Sequence, residues 1–298
     1  MAYASSRGAT GDLVLPHVTA ARDAGGTVRD DLRAVGVVWR RELIRFRRNR
    51  LRLFTSLAQP ILFLFVLGTG LSRLVPSAEA GHVDFRTFMF PGILGMSILF
   101  TAIFSAVSIV WDREFGFMRE MLVAPVRRGA LVLGKCLGGA TVATIQGTVM
   151  LLLAGLVHVP YSPALLFVLV LEMALAAFMI TAIGILLASR MAQVESFQAV
   201  IQFFVMPMFF LSGALFPLTG LPPWLLSLAK IDPLSYAVDP MRRAIFAHLA
   251  APVAITRLLD AGITWDGWRL PTFVELGVVA TVGASMLTLA VIRFSRTE

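Results

Sequence analysis

The stretch that decides the fold is residues 89–146, MFPGILGMSILFTAIFSAVSIVWDREFGFMREMLVAPVRRGALVLGKCLGGATVATIQ. Residues 87–111 carry no charge, and that run exceeds the roughly 20 apolar residues that a helix needs to cross a bilayer. A charged segment, 112–135, follows it, and a second uncharged run extends from residue 136 to residue 157. The sequence therefore predicts two membrane-spanning helices joined by a charged segment.

The joining segment has a helical pattern of its own. Its apolar residues Phe115, Met118, Met121 and Leu122 recur on one face of a helix. Pro125 would end that helix, because proline has no backbone N–H to donate. A short amphipathic helix held between two spans is suited to pass on the movement of a soluble partner. It is equally suited to anchoring the segment in the membrane interface, and the residues alone leave both alternatives open.

The composition indicates a polytopic membrane protein. The chain has 298 residues, of which 57% are hydrophobic and 15% charged, and its mean hydropathy is +0.81. Soluble domains carry about 25% charged residues. The net charge of +8 would suit a nucleic-acid partner, but the Arg and Lys residues lie in tails and loops beside the spans, where they set topology. We therefore expect no nucleic-acid partner.

Taken in order, the chain predicts an all-α protein with six spans and both termini in the cytoplasm. Residues 1–30 are predicted to be a disordered tail, residues 31–52 a basic amphipathic helix at the membrane surface, and residues 53–298 the transmembrane domain. Most of the 26 Lys and Arg residues fall on the side of the N-terminal tail, which the positive-inside rule assigns to the cytoplasm. The predicted spans are 53–72, 87–111, 136–157, 164–189, 196–216 and 273–292.

The segment between spans five and six is too apolar to be a solvated loop. The proline pair at 222–223 is typical of a helix start, and the Asp-Pro pair at 232–233 would end that helix. Asp239 followed by Pro240 resembles an N-cap and the first position of a second helix. Two short helices here predict a re-entrant hairpin on the outer side, packed against the rest of the protein.

One acid and one aromatic surface are candidates for a substrate path. Glu172 lies well inside a predicted span, where it either lines a substrate route or is a structural group, protonated or paired with a neighbour. Span five is rich in Phe and Met, which either line an apolar path for the substrate or face lipid and the protein core. Glu275 lies near the outer end of span six, where we expect it to reach water. The candidate path residues are Glu172, Phe203, Met206, Phe209 and Phe210.

No residue pattern predicts catalysis, a metal site or a bound cofactor in this chain. Residues 129–136 nearly match a phosphate-binding loop, but the pattern ends in Cys136, which cannot ligate Mg²⁺ as a hydroxyl does. The His residues are not spaced as metal ligands. We therefore expect a protein that is not an enzyme, with no catalytic residues. Gly134 and Gly138 have the spacing that lets two membrane helices approach closely.

Three stretches resemble the membrane subunit of ABC-2 type exporters. Residues 112–126, DREFGFMREMLVAPV, are similar to the family's R-E-x-G…L-x-x-P segment, which docks on the ATPase. Residues 210–217, FLSGALFP, are similar to the end of the family's fifth span. Residues 233–239, PLSYAVD, with Arg242 are similar to the P-L-x-Y…R pattern of its outer hairpin. The resemblance covers residues 35–295.

The resemblance implies that the chain is one of two membrane subunits of a transporter in a bacterial cytoplasmic membrane. Two permease subunits, as a homodimer or a heterodimer, would work with two copies of a separate nucleotide-binding ATPase subunit that carries the ATP and Mg²⁺. The residues it implies for ATPase docking are Arg113, Glu114, Gly116, Met118, Arg119, Glu120 and Met121. The residues it implies for the outer hairpin are Pro233, Tyr236, Asp239 and Arg242.

The substrate follows less directly from the sequence. With 3 Tyr and 5 Trp, the chain has few aromatic groups for stacking on sugars, which favours a hydrophobic drug-like or lipid substrate. Alternatives are a polysaccharide-exporting permease of the same family and a proton-coupled secondary transporter that uses Glu172.

Overall fold

The computed structural model describes residues 28–72, 85–115, 127–218, 221–249, 262–265 and 267–296, and nearly all of them are helical. The helices are α1 (Val28–Arg48), α2 (Arg50–Leu62), α3 (Gly68–Ser72), α4 (Phe85–Ser105), α5 (Val107–Glu114), α6 (Arg128–Leu151), α7 (Pro163–Ala188), α8 (Val194–Leu211), α9 (Pro223–Ile231), α10 (Ser235–Ala247) and α11 (Thr272–Arg296). A π-helical turn, Phe63–Leu67, joins α2 to α3, and a 3-10 turn, Ala154–Val157, follows α6. Two short strands, β1 (Thr264–Trp265) and β2 (Trp268–Arg269), pair antiparallel. The all-α prediction is confirmed.

Within the described residues, six helical segments are long and apolar enough to cross a membrane, as predicted. They are Phe54–Leu71, Phe85–Glu114, Arg128–Leu151, Pro163–Ala188, Val194–Leu211 and Thr272–Ser295, here called spans one to six. Span three begins at Arg128 rather than at Cys136, because Lys135 is a buried part of the helix and not a loop charge. Glu42 and Asp112 compensate that charge.

The first and last described helices meet at the same end of the bundle. Arg127, just before α6, donates its backbone N–H to Asp31 Oδ1 on α1 over 3.2 Å. Arg128 Nη1 donates to the Phe294 carbonyl near the end of α11 over 3.1 Å. We call this the α1 end, and we call the opposite end, which carries α9, α10 and the strands, the hairpin end.

The centre of the bundle is α7, which packs against α4, α6 and α11. Span two is mostly buried, whereas most residues of spans one, five and six are half-buried or exposed. The exposed apolar side chains of these outer spans need hydrocarbon or another protein surface to cover them. The largest buried side chains on α4 are Phe88 and Phe90, both inaccessible.

The basic helix α1 packs tightly on α6. A Cβ atom on Gly134 would lie 2.9 Å from Val38 Cβ, and one on Gly138 would lie 2.8 Å from Glu42 Cβ. The two glycines therefore permit an approach that larger residues would block. The sequence predicted this helix at 31–52, but it covers Val28–Arg48; of the predicted tail, residues 1–27 lie outside the described residues.

The packed face of α1 differs from its apolar stripe. Val38 is buried against α6, whereas Leu32 is 66% exposed and Trp39 39% exposed. Trp39 Nε1 donates to Thr141 Oγ1 on α6 over 3.1 Å. The helix thus presents one face to the bundle and an adjacent apolar face outward, as an interfacial helix does.

The outer hairpin consists of α9 and α10, with Pro223 at the start of α9 as predicted. The predicted start of the second helix at Asp239 is wrong, since α10 begins at Ser235 and contains both Asp239 and Pro240. Asp232 stabilises the turn before this helix instead. Its Oδ1 accepts a hydrogen bond from the Leu234 N–H over 3.1 Å, and burial raises the pKa of Asp232 from 3.8 to about 7.

Candidate functional site

Three consecutive charged residues end α5 and bind three different parts of the bundle. The first, Asp112, is 8% exposed, and its Oδ2 lies 2.5 Å from Lys135 Nζ on α6 and 3.1 Å from Arg41 Nη2 on α1. A buried ionised carboxylate needs an opposite charge and hydrogen bonds close to it. Lys135 and Arg41 provide them, and these contacts hold the end of α5 to α6 and α1.

Lys135 is the buried cation of this cluster. Its Nζ also donates to Ser108 Oγ over 3.2 Å and lies 3.8 Å from Glu42 Oε1. Its side chain is 6% exposed, and it therefore faces two acids from α1 and α5 with little water between them. The sequence showed these charges, but it gave no sign that residues on three elements would meet.

Arg113 and Glu114 join α5 to the helices on its other side. Arg113 Nη1 donates to the carbonyls of Ser189 (3.1 Å) and Met191 (3.0 Å), beyond the end of α7, and its guanidinium carbon lies 5.7 Å from the centre of the Phe294 ring. Arginine suits this position, because the last carbonyls of a helix lack partners within it.

Glu114 Oε2 accepts the backbone N–H of Val194, the first residue of α8, over 3.1 Å. An acid at a helix N-terminus is favoured by the helix dipole. Together, Asp112, Arg113, Glu114 and Lys135 tie α5 to α1, α6, α7, α8 and α11, and we call them the charged hub.

The predicted docking residues divide into two groups. Arg113 and Glu114 are described, and their side chains bind within the chain. The others lie outside the described residues, as does most of the predicted short helix of the joining segment. These are Gly116, Met118, Arg119, Glu120 and Met121. The hub is therefore the base from which the segment 116–126 departs.

A cavity of about 440 Å³ lies beside the hub, between α1, α2, α4, α5, α6 and α8. Its walls include Glu42 and Ser108 from the region of the hub, and Trp111 from α5. Small-molecule sites usually have volumes of about 300–1,000 Å³. The sequence gave no signal for this cavity, because its walls come from six separate helices.

The predicted path residues do not line this cavity. Glu172 is buried at 4% exposure, and its Oε2 has no hydrogen-bond partner within the described residues. Phe209 is buried, with its ring 6.0 Å from that of Phe63 on the π-helical turn. Phe203, at 73% exposure, and Phe210, at 46%, lie on the outer surface of α8.

Met206 is 40% exposed and lies on this outer surface as well. The path itself stays a prediction, since none of its five residues lines the cavity and three of them lie on the outer surface of α8.

The predicted hairpin residues hold α10 against its neighbours. Tyr236 donates its hydroxyl to the Lys230 carbonyl over 2.8 Å, and burial raises the pKa of this hydroxyl. Arg242 is buried, lies 4.7 Å from the centre of the Phe88 ring, and donates to the Gly213 carbonyl. Pro233 lies in the turn between α9 and α10.

Asp239 belongs to a second buried ion cluster, at the hairpin end. Its Oδ2 lies 2.5 Å from Arg243 Nη2, which also donates to Glu275 Oε1 over 2.8 Å. The expectation that Glu275 reaches water is wrong, because this residue is fully buried and bound by Arg243. The Leu270 carbonyl accepts from the same guanidinium, which fixes α10 to the start of α11.

Among the described residues, His, Cys, Asp and Glu form no group of three or more that could hold a metal ion. The two ion clusters lie at opposite ends of the bundle, and each acid in them faces a cation. Six apolar helices long enough to cross a membrane, with α7 at their centre and a buried ion cluster at each end of the bundle, define a multi-pass membrane protein.

The comparison with known families identifies this class more closely. Residues 33–246 match the ABC-2 type transporter family, and the chain belongs to it. It is thus the membrane subunit of an ABC transporter, and family membership implies an ATPase partner.

The chain is similar to Nodulation protein J of Rhizobium leguminosarum bv. trifolii, with 29% identity over 214 residues, 71% of this chain and 80% of that protein. It is also similar to the putative transport permease ycf38 of Cyanophora paradoxa, with 28% identity over 214 residues, 71% of this chain and 73% of that one. A third relative is Nodulation protein J of Sinorhizobium fredii, with 27% identity over 221 residues, 73% of this chain and 83% of that protein.

Proposed function

We propose that this chain is the permease of an ATP-driven exporter that moves a hydrophobic drug-like or lipid substrate out across a bacterial cytoplasmic membrane. Two permease subunits and two copies of a separate ATPase subunit would form the transporter. ATP and Mg²⁺ would bind to the ATPase subunits and not to this chain. The observation that carries the proposal is the charged hub at the base of segment 116–126.

The hub provides a route for force from the ATPase to the spans. A push on segment 116–126 reaches Glu114 first, whose carboxylate holds the start of α8. Arg113 carries the same displacement to the end of α7, and Asp112 carries it to α1 and α6. Charge-assisted hydrogen bonds are among the stronger side-chain contacts, so these helices would move together rather than slide past α5.

The α1 end faces the cytoplasm in this proposal, and both termini lie there. The basic tail, the basic face of α1 and the charged segment all belong to that end, as the positive-inside rule requires. The exposed apolar stripe of α1 would then rest in the cytoplasmic leaflet beside anionic lipids. The ATPase subunits would bind on the same side.

The second permease subunit would cover part of the exposed outer spans. Phe203, Met206 and Phe210 form an exposed apolar surface on α8. We propose that these residues border the substrate path between two subunits, with Phe209 behind them. Glu172 is buried in the half of α7 that is nearer the hairpin end, and it would then be a structural or gating group that does not belong to this surface.

Co-purification with the ATPase subunit tests the docking role. Glu120→Arg reverses a charge in segment 116–126, and we expect it to abolish recovery of the ATPase with the tagged permease. Glu195→Arg is the matched control, because Glu195 is an exposed acid in the first turn of α8 at the same end of the bundle. The control should retain the ATPase. Full recovery of the ATPase with Glu120→Arg would refute docking through this segment.

A further inference from the structure

The ion cluster at the hairpin end places two buried acids beside one cation. Asp239 and Glu275 are both buried, and both bind the guanidinium of Arg243. Arg269 also attracts Glu275, but it is exposed on β2, where water screens its charge. With both acids ionised, the buried part of the cluster would carry one uncompensated negative charge, which is costly away from water.

The two acids also contact each other. Asp239 Oδ2 and Glu275 Oε1 lie 2.5 Å and 2.8 Å from the same nitrogen of Arg243, Nη2. The two carboxyl groups are within hydrogen-bonding reach of one another. Their second oxygens, Asp239 Oδ1 and Glu275 Oε2, are buried and find no donor within the described residues. Since an ionised carboxylate only accepts hydrogen bonds, a hydrogen bond between the two groups requires a proton on one of them.

The other charged groups of the hairpin are directed elsewhere. Tyr236 lies close enough to Glu275 for the two groups to interact, but it donates its hydroxyl to the Lys230 carbonyl. The Lys230 ammonium lies 5.3 Å from the centre of the Trp265 ring. Arg242 is directed to an aromatic ring of α4 and to a backbone carbonyl after α8. Arg243 is therefore the hairpin cation that binds both acids.

Within the described residues, the helices packed against α10 and α11 bring no further cation to the pair. On α4, Arg86 lies against α3, since a Cβ on Gly68 would be 2.8 Å from the Arg86 Cγ. On α7, the buried titratable residue of the half nearer the hairpin end is Glu172, which is another acid. A single proton on the pair of Asp239 and Glu275 balances the remaining negative charge.

The backbone before β1 closes the cluster off from water. A Cβ on Gly262 would lie 2.9 Å from Asp239 Oδ2, so the chain passes directly over this acid. Gly262 has a φ of +67°, a conformation that favours glycine. Ile263 and Leu270, at the two ends of the strand pair, are buried. In a site without water, two adjacent carboxylates repel each other strongly, and this repulsion is relieved when they share one proton.

We propose that Asp239 and Glu275 bind one proton between them, and that this shared proton fastens the outer hairpin to span six. The proton passes to water when α10 separates from α11, and the contact forms again only after one carboxyl group has taken a proton back. The hairpin is therefore held firmly at low pH and detaches more easily as the pH rises. With the α1 end in the cytoplasm, as proposed above, the outer solution sets this pH.

Hydrogen–deuterium exchange of α10 measures the contact. This helix has 13 residues, and a helix of that length is marginal without packing, so its amides lose protection when it leaves α11. The full chain is studied in lipid nanodiscs without nucleotide, and each exchange rate is divided by that of an unprotected peptide at the same pH. The centre of α7 is the internal reference. All proteins carry Asp232→Asn, which removes the other buried acid of the hairpin, and this parent is compared with its variants.

We expect the protection of α10 in the parent to fall about tenfold for each pH unit between about pH 5 and about pH 8, because opening releases one proton above the ordinary titration range of a carboxyl group. Glu275→Gln supplies a permanent N–H donor to Asp239, so protection should stay high and independent of pH. Asp239→Asn supplies the donor from the other side and should remove the pH dependence as well. Glu172→Gln, which changes a buried acid outside the cluster, should retain the slope of the parent.

The opposite charge state predicts a different pattern. With both acids ionised, the parent would show no slope, and Glu275→Gln would lose an ion pair with Arg243 and with it protection at every pH. Either result would overturn the proposal, and so would a slope that persists in both Glu275→Gln and Asp239→Asn. These outcomes do not bear on docking of the ATPase, which involves the opposite end of the bundle and is measured by co-purification.

Discussion

Replacing Lys135 by Met should destabilise the protein more than any change of an exposed cation. The methionine side chain fills a similar volume but leaves Asp112, whose side chain is 11% exposed, without its nearest cation. Arg41 would remain 3.1 Å from Asp112, but its own side chain is 45% exposed and its attraction is screened by water. Breaking one side of a buried ion pair costs about 3–5 kcal/mol, and we expect a loss in that range.

The free energy of unfolding is measured by titrating the purified protein from mild detergent into dodecyl sulphate and following tryptophan fluorescence. Arg33→Gln is the control, because Arg33 is a cation of α1 with a 66% exposed side chain and an acid 3.9 Å away. Its removal should cost less than about 1 kcal/mol.

The double variant Lys135→Met with Asp112→Asn identifies the cause. If Lys135 acts by compensating Asp112, the double variant should lose clearly less than the sum of the two single variants, by about 0.5–3 kcal/mol. Strict additivity, or a Lys135→Met variant as stable as Arg33→Gln, would refute the reasoning about the charged hub.

Three further changes test the packing and the hairpin end. Gly138→Ala should lower the free energy of unfolding by about 1–3 kcal/mol in the same titration, because the new Cβ would meet Glu42 Cβ at 2.8 Å and weaken the contact of α1 with α6. Gly36→Ala is the control, and it should not destabilise the protein, because a Cβ on Gly36 would meet open space. Arg243→Gln leaves two buried carboxylates without their shared cation and should cost about 3–5 kcal/mol; an unchanged unfolding midpoint would contradict that cluster's role. Burial raises the pKa of Asp232 to about 7, so the stability that its neutral carboxyl group contributes is present at low pH and is lost as the pH rises from about 4 through 7. Asp232→Asn should therefore flatten the decline of thermal stability over this pH range. A pH profile equal to that of the unchanged protein would contradict this reasoning.

The spans were predictable because bilayer crossing imposes a simple rule on length and charge. Each apolar run of sufficient length with at most one charged residue became a helix, and the six spans follow from that rule. The same rule placed the start of span three too late. It treats every Lys as a loop residue, whereas Lys135 is compensated by Asp112 from another helix. Compensation across helices is a tertiary property that no local pattern records.

The hairpin shows the same limit for local capping patterns. Asp239 and Pro240 have the composition of a helix start, but the helix begins earlier, at Ser235, and Arg243 binds the Asp239 carboxylate. Glu275 was expected to reach water from its position near the end of a span, yet the packing of α10 buries it. The cavity was beyond prediction for a related reason, since its wall combines single residues from separate helices.

The central claim is that the segment following the hub faces the cytoplasm and is covered by the ATPase subunit. Phe115→Cys tests it directly in a Cys136→Ser background, because Phe115 is 69% exposed at the end of α5 and Cys136 is the single cysteine of the chain. Tyr161→Cys, 55% exposed at the opposite end, is the control. A membrane-impermeant maleimide should label residue 115 only in inside-out vesicles, and added ATPase subunit should protect it, whereas residue 161 should be labelled only in intact cells. Labelling of residue 115 from outside intact cells, or no protection by the ATPase, would contradict the account.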